Sequence, residues 1–347
     1  MNHNTLLIRT DASAQIGTGH AMRCLALAQA WQEMDGKAVV AVGMDIGAVE
    51  DRLLSEGMEV LHLQTKSGSL DDATRTAALA RARGARWIVA DSYCFDTNYQ
   101  RAVKKQDIAL LYVDDAGYAG EFVADIILNQ NISAREGFYA KRPAGARVLL
   151  GPRYALLRRE FSKWRGWQRT IATPPRNILV TLGGSDPDNV TLTIVRALRQ
   201  LGQPDLNVRV VIGAANPHGD SLRREMMHLL GCCELVVNTK EMPQLMAWAD
   251  VAVAAAGSTC WELALMGLPI LVTILADNQR GIAEGLATHG TAVNLGWYNA
   301  LNEAAVARAL GDLLLDEERR REMCRRGQEL VDGFGASRVA KILLEGK

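Results

Sequence analysis

The sequence predicts an α/β protein made of two Rossmann-like, doubly wound domains facing each other across a cleft. Three observations carry this expectation. The chain has 347 residues, more than one ordinary core holds, so two domains are expected. Short apolar runs alternate with amphipathic stretches through both halves, the pattern of repeated βα units. Several runs, such as "RWIVAD" and "IALLYVDD", are continuously apolar rather than alternating, as in strands buried on both faces of a parallel sheet.

In chain order, strands are expected over 5–10, 37–42, 58–63, 86–90, 108–113 and 124–129. The helix after the first strand would place Met22, Leu25, Ala26 and Gln29 on one stripe, the first three against the sheet. From residue 177 the scheme repeats with "NILVTL", "LNVRVVIG", "CELVVN", "VAVAAA" and "LPILVTI". Helices over 302–315 and 317–331 and a shorter one at the end follow. The stretch between the halves is basic and ends in Pro174-Pro175. The domains are therefore drawn at 1–165 and 177–347, with a linker at 166–176. Open sheets of this kind bind ligands beyond the carboxyl ends of their strands.

Composition narrows the function. Lys plus Arg and Asp plus Glu both number 39, so no global field favours nucleic acid or an anionic membrane as partner. Any anion must be held locally. The six cysteines are scattered without a CxxC, in neither disulfide-framework nor metal-site spacing, and a reducing cytoplasm is expected. The N-terminus lacks the pattern of a signal peptide. The longest apolar run, "LALMGLPILVTILA", is interrupted by Gly267 and Pro269 and is too short to cross a bilayer. The basic stretch "EERRREMCRR" at 317–326 pairs Glu317 with Arg321 at i,i+4 and reads as a solvated helix face.

Three strand-to-helix turns carry the candidate chemistry. The first is "IGTGHAMR" at 16–23. Gly17 and Gly19 stand in GxG spacing, but the third fingerprint position is Met22, and Asp45 comes too late to serve a ribose. Nicotinamide and flavin are therefore disfavoured. The turn would still present N–H groups at a helix start, a site for anions, and Thr18 lies within it. His20 sits at that start. The helix dipole disfavours a cation there, so a neutral imidazole is expected, the state of a general base near neutral pH. A histidine that only caps or packs fits the same residues.

The second turn is "LGGSDPDN" at 182–189, with Gly184 and Ser185 at its tip. Asp186 would cap the next helix and Pro187 would take its first position. The third is "AAAGSTCWELALMGLP" at 254–269. Gly257, Ser258 and Thr259 would open a helix able to hold phosphate. Glu262, four residues after Ser258, would project one turn along the same face and could accept both hydroxyls of a ribose. Capping and dipole complementation explain the same residues without a ligand.

Taken together, "RTDASAQIGTGHAMRCLALA", "ADSY" at 90–93, "YVDD" at 112–115, "ILNQN" at 127–131, "GPRYALLRREF" at 151–161, "LGGSD" at 182–186 and "ADNQ" at 276–279 resemble a known family. It is that of the nucleotide-sugar hydrolases of pseudaminic acid biosynthesis, which remove UDP from UDP-2,4-diacetamido-2,4,6-trideoxy-β-L-altropyranose. The resemblance runs from about residue 5 to 290. It implies the two-domain GT-B glycosyltransferase fold, His20 as the catalytic base, Glu262 on the ribose and Gly257 to Thr259 on the pyrophosphate. It further implies contacts to substrate from Tyr93, Asp11 and Ser13 and from Asn278 and Gln279, and a role upstream of flagellin glycosylation. One base and an anion site suffice because UDP is a good leaving group, so neither metal nor cofactor is expected. The partner is a small-molecule UDP-sugar. The oligomeric state stays open, with a monomer expected. A glycosyltransferase of the same fold and a nucleotide-sugar-binding module without turnover are the rival readings.

Overall fold

A computed structural model of the chain describes residues 4–13, 17–115, 117, 119–214 and 216–346. The chain divides into two compact units, Met1–Arg159 with Gly333–Lys347, and Glu160–Asp332.

In the first unit, β1 (Thr5–Thr10), β2 (Lys37–Val42), β3 (Glu59–His62), β4 (Ala85–Asp91), β5 (Ala109–Val113), β6 (Ile126–Asn129) and β7 (Arg147–Leu150) form one sheet. Its order is β3-β2-β1-β4-β5-β6-β7 and every pairing is parallel. All six residues of β1 are buried. Leu6 and Ile8 enter one core, and Leu7 enters another on the opposite face with Val39, Ile88 and Tyr99. Burial on both faces is the physical reason the strands read as continuous apolar runs. The strand β7 falls in the basic stretch that the sequence assigned to no element.

Between the strands lie α1 (Gly19–Gln32), α2 (Ala48–Ser55), α3 (Leu70–Ala82) and α4 (Thr97–Lys104). The expected single stripe on α1 is not what forms. Eleven of its residues are buried, among them Leu25, Leu27, Ala28 and Trp31, whereas Met22 is only partly so. The reason is a second cover.

The second unit contains β8 (Asn177–Thr181), α5 (Val190–Leu201), β9 (Asn207–Ile212), α6 (Gly219–Met226), β10 (Cys232–Val237), α7 (Met242–Trp248), β11 (Val251–Ala255), α8 (Thr259–Leu265), β12 (Ile270–Ile274), α9 (Arg280–His289), β13 (Ala292–Trp297), α10 (Glu303–Leu315) and α11 (Glu317–Leu330). Its parallel sheet runs β10-β9-β8-β11-β12-β13. The last helix, α12 (Gly335–Glu345), returns to the first unit, where Ala336, Val339, Ala340 and Leu343 share the core of α1. Gly335 permits this docking, since a Cβ there would lie 2.2 Å from the Ala155 carbonyl oxygen.

The division thus differs from boundaries at 165 and 177, and the tail that the sequence placed in the second domain belongs to the first. The expected linker is itself packed: the Arg169 guanidinium donates to the carbonyls of Met246, Ala249 and Met266, and Gln328 Nε2 donates to the Trp167 carbonyl at 2.6 Å. On α11 the Glu317–Arg321 pair forms on an exposed face, but Arg320 is buried and donates to the carbonyls of Leu313 and Leu314. Among the described residues no helix is long and apolar enough to cross a membrane.

Candidate functional site

In the first unit the chain reverses its winding between β1 and β4, the place where doubly wound sheets hold ligands. His20 follows β1, Asp91 ends β4, and Asp115 follows β5. Three adjacent carboxyl edges therefore converge.

The opening turn builds the first of these positions. Gly17 takes φ +74°, a left-handed conformation suited to glycine, and its N–H donates to the Ser13 carbonyl at 2.8 Å. Residues 14–16, which include the first residue of the opening motif, lie outside the described residues. Thr18 precedes α1, its carbonyl accepting from Met22 N–H at 2.9 Å; Gly19 is exposed and starts the helix. His20, the second helical residue, turns inward and is 6% exposed.

Four titratable side chains meet there. His20 Nδ1 lies 2.6 Å from Asp91 Oδ1 and 3.1 Å from Arg23 Nη2. Arg23 grips Asp91 side-on, Nε to Oδ2 at 2.6 Å and Nη2 to Oδ1 at 2.7 Å. The same guanidinium donates to Asp115, Nη1 to Oδ1 at 2.6 Å and Nη2 to Oδ2 at 3.2 Å. Asn131 adds a donor to Asp115 Oδ1 at 3.1 Å. Burial would raise both carboxyls, but the Arg23 charge outweighs it, and both are held below the usual carboxylate range. Next to them the Asp114 carboxyl is pushed up by burial, although it accepts from Tyr139 Oη at 2.7 Å and Gly117 N–H at 2.6 Å. The helix dipole, on which the sequence expectation for His20 rested, is therefore not the main charge at the ring. A carboxylate and a guanidinium are closer.

Tyr93 lies at this cluster. Its ring meets the His20 ring edge to face and its hydroxyl donates to Asp115 Oδ2 at 2.9 Å. Asp11 is elsewhere engaged. It is 1% exposed, ion-paired to Arg9 at 2.8 Å, and accepts from Gly43 N–H and Ser67 Oγ at 2.7 and 2.8 Å.

The remaining candidates belong to the second unit, at the carboxyl ends of the neighbouring strands β8, β11 and β12. Gly184 and Ser185 follow β8, and Gly213 approaches so closely that a Cβ on it would lie 2.3 Å from the Gly184 oxygen. Asp186 caps as expected in kind but from farther out, accepting from the N–H groups of Val190 and Thr191 at 2.9 and 2.8 Å. Pro187 is not the first helical residue, because the chain makes a further turn and α5 starts at Val190. Gly257 and Ser258 follow β11, Thr259 opens α8 and Glu262 stands in its first turn. After β12 a short 3₁₀ turn, Asp277–Gln279, carries Asn278 and Gln279. Gln279 Oε1 accepts from Leu275 N–H at 2.9 Å, and its Nε2 lies 3.9 Å from where a Gly257 side chain would begin. The fold thus brings Gly257 and Gln279 together.

Arg23, Asp91 and Asp115 were not among the sequence-derived candidates. Their signals were present: Arg23 falls one helical turn after His20, and "IVAD" and "YVDD" are apolar strands ending in carboxylates.

Residues 177–334 match the glycosyltransferase family 28 C-terminal domain. The chain as a whole has the architecture of the GT-B glycosyltransferases: it is similar to the crystal structure of Acinetobacter baumannii MurG (TM-score 0.69, 15% identity, 99% of each chain covered). It is equally similar to S. aureus MnaA solved with UDP (TM-score 0.69, 13% identity, 99% and 97% covered). In sequence it is 31% identical over 198 residues to the spore coat polysaccharide biosynthesis protein SpsG of Bacillus subtilis. That match covers 57% of this chain and 58% of the relative, so the chain spans little more than half of that protein. It is 22% identical over 287 residues to the UDP-2,4-diacetamido-2,4,6-trideoxy-β-L-altropyranose hydrolase of Campylobacter jejuni, with 82% of this chain and 97% of that one covered.

Proposed function

We propose that this chain is a nucleotide-sugar-processing enzyme, and specifically a hydrolase that releases UDP from a UDP-2,4-diacetamido-2,4,6-trideoxyhexose of the β-L-altro type. The observation that carries the reading is the buried contact of His20 Nδ1 with Asp91 Oδ1 at 2.6 Å, at the switch point of the first sheet. A carboxylate on one imidazole nitrogen orients the ring and leaves the other nitrogen to act as a base. Water then attacks C1 of the sugar, its proton passes to His20 Nε2, and the bond from C1 to the diphosphate oxygen breaks with inversion. UDP departs with the bonding pair. Gly257, Ser258 and Thr259 would receive the diphosphate through backbone N–H groups, Glu262 the ribose, and Gln279 and Asn278 the same nucleotide from the next strand end. Tyr93 would contact the sugar.

A second reading is a transferase that passes the same sugar to an acceptor; the match to a glycosyltransferase domain favours it. One assay separates them. Incubation with the UDP-sugar alone should give free sugar and UDP at full rate, with the anomeric configuration inverted in the first-formed product. Turnover only on addition of an acceptor would replace the hydrolase by the transferase. Tight UDP binding without turnover of any diacetamido sugar would leave a binding module.

A further inference from the structure

The cluster around His20 holds more charge than orienting one ring requires. Asp91 has no solvent exposure and takes donors on both oxygens. Arg23 occupies both, His20 Nδ1 faces Oδ1, and Cys24 Sγ donates to Oδ2 at 3.4 Å. A carboxylate so surrounded is ionised and has no proton to offer. Two lone pairs at 2.6 Å would repel, so Nδ1 is the donor in that contact. Arg23 Nη2, though 3.1 Å from the same nitrogen, has acceptors in Asp91 Oδ1 and Asp115 Oδ2.

We propose that Arg23 is a positioning residue: clamped between Asp91 and Asp115, it presents Asp91 to Nδ1–H of His20, leaves the lone pair on Nε2, and sets the local charge against which the ring takes up a proton. With a neutral ring the cluster is one cation against two carboxylates, so the imidazolium formed on proton uptake brings it to balance. Among the described residues Tyr93, bonded to Asp115, meets the ring, and Cys24, whose thiol is pushed up by burial and by Asp91, lies against Asp91. Asp114, bonded to Tyr139, stands beside Asp115. The kinetic part of this inference rests on the proposed role of His20; the tautomer does not.

The test uses the full chain with ¹⁵N-labelled histidine. Long-range ¹H–¹⁵N spectra, with the His20 signal assigned through His20→Asn, should show the neutral ring protonated on Nδ1. Removing one positive charge, in Arg23→Met, should move the His20 titration midpoint, and the acid limb of kcat/KM, up by about one pH unit. Removing one negative charge, in Asp115→Asn, should move both down. Arg23→Lys keeps the charge and should hold the midpoint while losing the forked grip, with kcat down by about tenfold. Should Arg23→Met fail to fold, Asp115→Asn and Arg23→Lys still decide the matter. An Nε2-protonated ring in the wild type, or a midpoint that Asp115→Asn leaves unmoved or raises, overturns the inference. A wild type that turns over no UDP-sugar overturns the proposed function instead, with the spectra unaffected.

Discussion

The phenol of Tyr93 and the imidazole of His20 meet edge to face, ring centroids 4.5 Å apart and planes at 80°, while Tyr93 itself is 50% exposed. It therefore joins a buried charged cluster to the surface. Tyr93→Phe keeps the ring contact and loses the hydroxyl bond to Asp115. A bond to a charged group is worth about 1.5–3 kcal/mol when buried, and half-exposure reduces that, so kcat/KM should fall by no more than about tenfold. Tyr93→Ala also strips the ring contact, about 0.5–1.5 kcal/mol, and should fall several-fold further. Steady-state kinetics on both variants decide; equal activity in all three proteins would remove Tyr93 from the site.

His20→Asn preserves approximate size and cannot act as a base. It should lower kcat by about 10²–10⁴-fold with UDP inhibition nearly unchanged. A variant that retains most of its kcat would make His20 structural.

Glu262→Ala should weaken inhibition by UDP by about 1.5–3 kcal/mol if the carboxylate holds the ribose. Its place in the first turn of α8, behind the Gly257–Ser258 turn, motivates this. Unchanged UDP inhibition in a folded variant would mean that Glu262 only complements the helix dipole.

The buried Arg9 is a matter of stability. Its Nε and Nη2 donate to Asp72, both at 2.9 Å, and it pairs with Asp11 at 2.8 Å. Arg9→Met would leave two buried carboxylates without their cation, at a cost of about 3–5 kcal/mol in urea unfolding. The family resemblance made Asp11 a substrate contact; with its oxygens taken by Arg9, Gly43 and Ser67, Asp11→Asn should act on the unfolding midpoint more than on kcat. A kcat loss matching that of His20→Asn would contradict this.

Acid should weaken the protein through the same cluster that surrounds His20. Asp91 and Asp115 titrate lower when folded than when unfolded, because Arg23 outweighs the effect of burial. Their contribution is present above the unfolded aspartate value of about 3.9 and is lost as pH falls below it toward the folded values. Asp114, raised by burial, works in the opposite direction but alone. Urea midpoints taken from pH 6 down to pH 3 should therefore drop, and Asp115→Asn should drop less steeply. A flat profile would show that the cluster adds nothing to folding.

The sequence by itself determined most of the strands and their order, though not β7 and β13. Runs such as "TLLIRT" and "ILVTI" read as strands with both faces covered and are buried strands in the fold, and β1 and β2 lie over the expected 5–10 and 37–42. It also determined which turns stand at strand ends, since glycine at Gly17 and the Gly257–Thr259 stretch mark strand-to-helix reversals. What only the tertiary structure decided is which turns share an edge and what covers each helix. The order β3-β2-β1-β4-β5 brings Asp91 and Asp115 to His20 from 71 and more residues away, a juxtaposition that no local pattern encodes. In the same way α12 leaves the unit that precedes it and lays Val339 and Leu343 against the core of α1. An amphipathic helix records that one face is apolar. Which apolar face it buries against depends on shape and on close approach, as at Gly335, and those are properties of the folded chain.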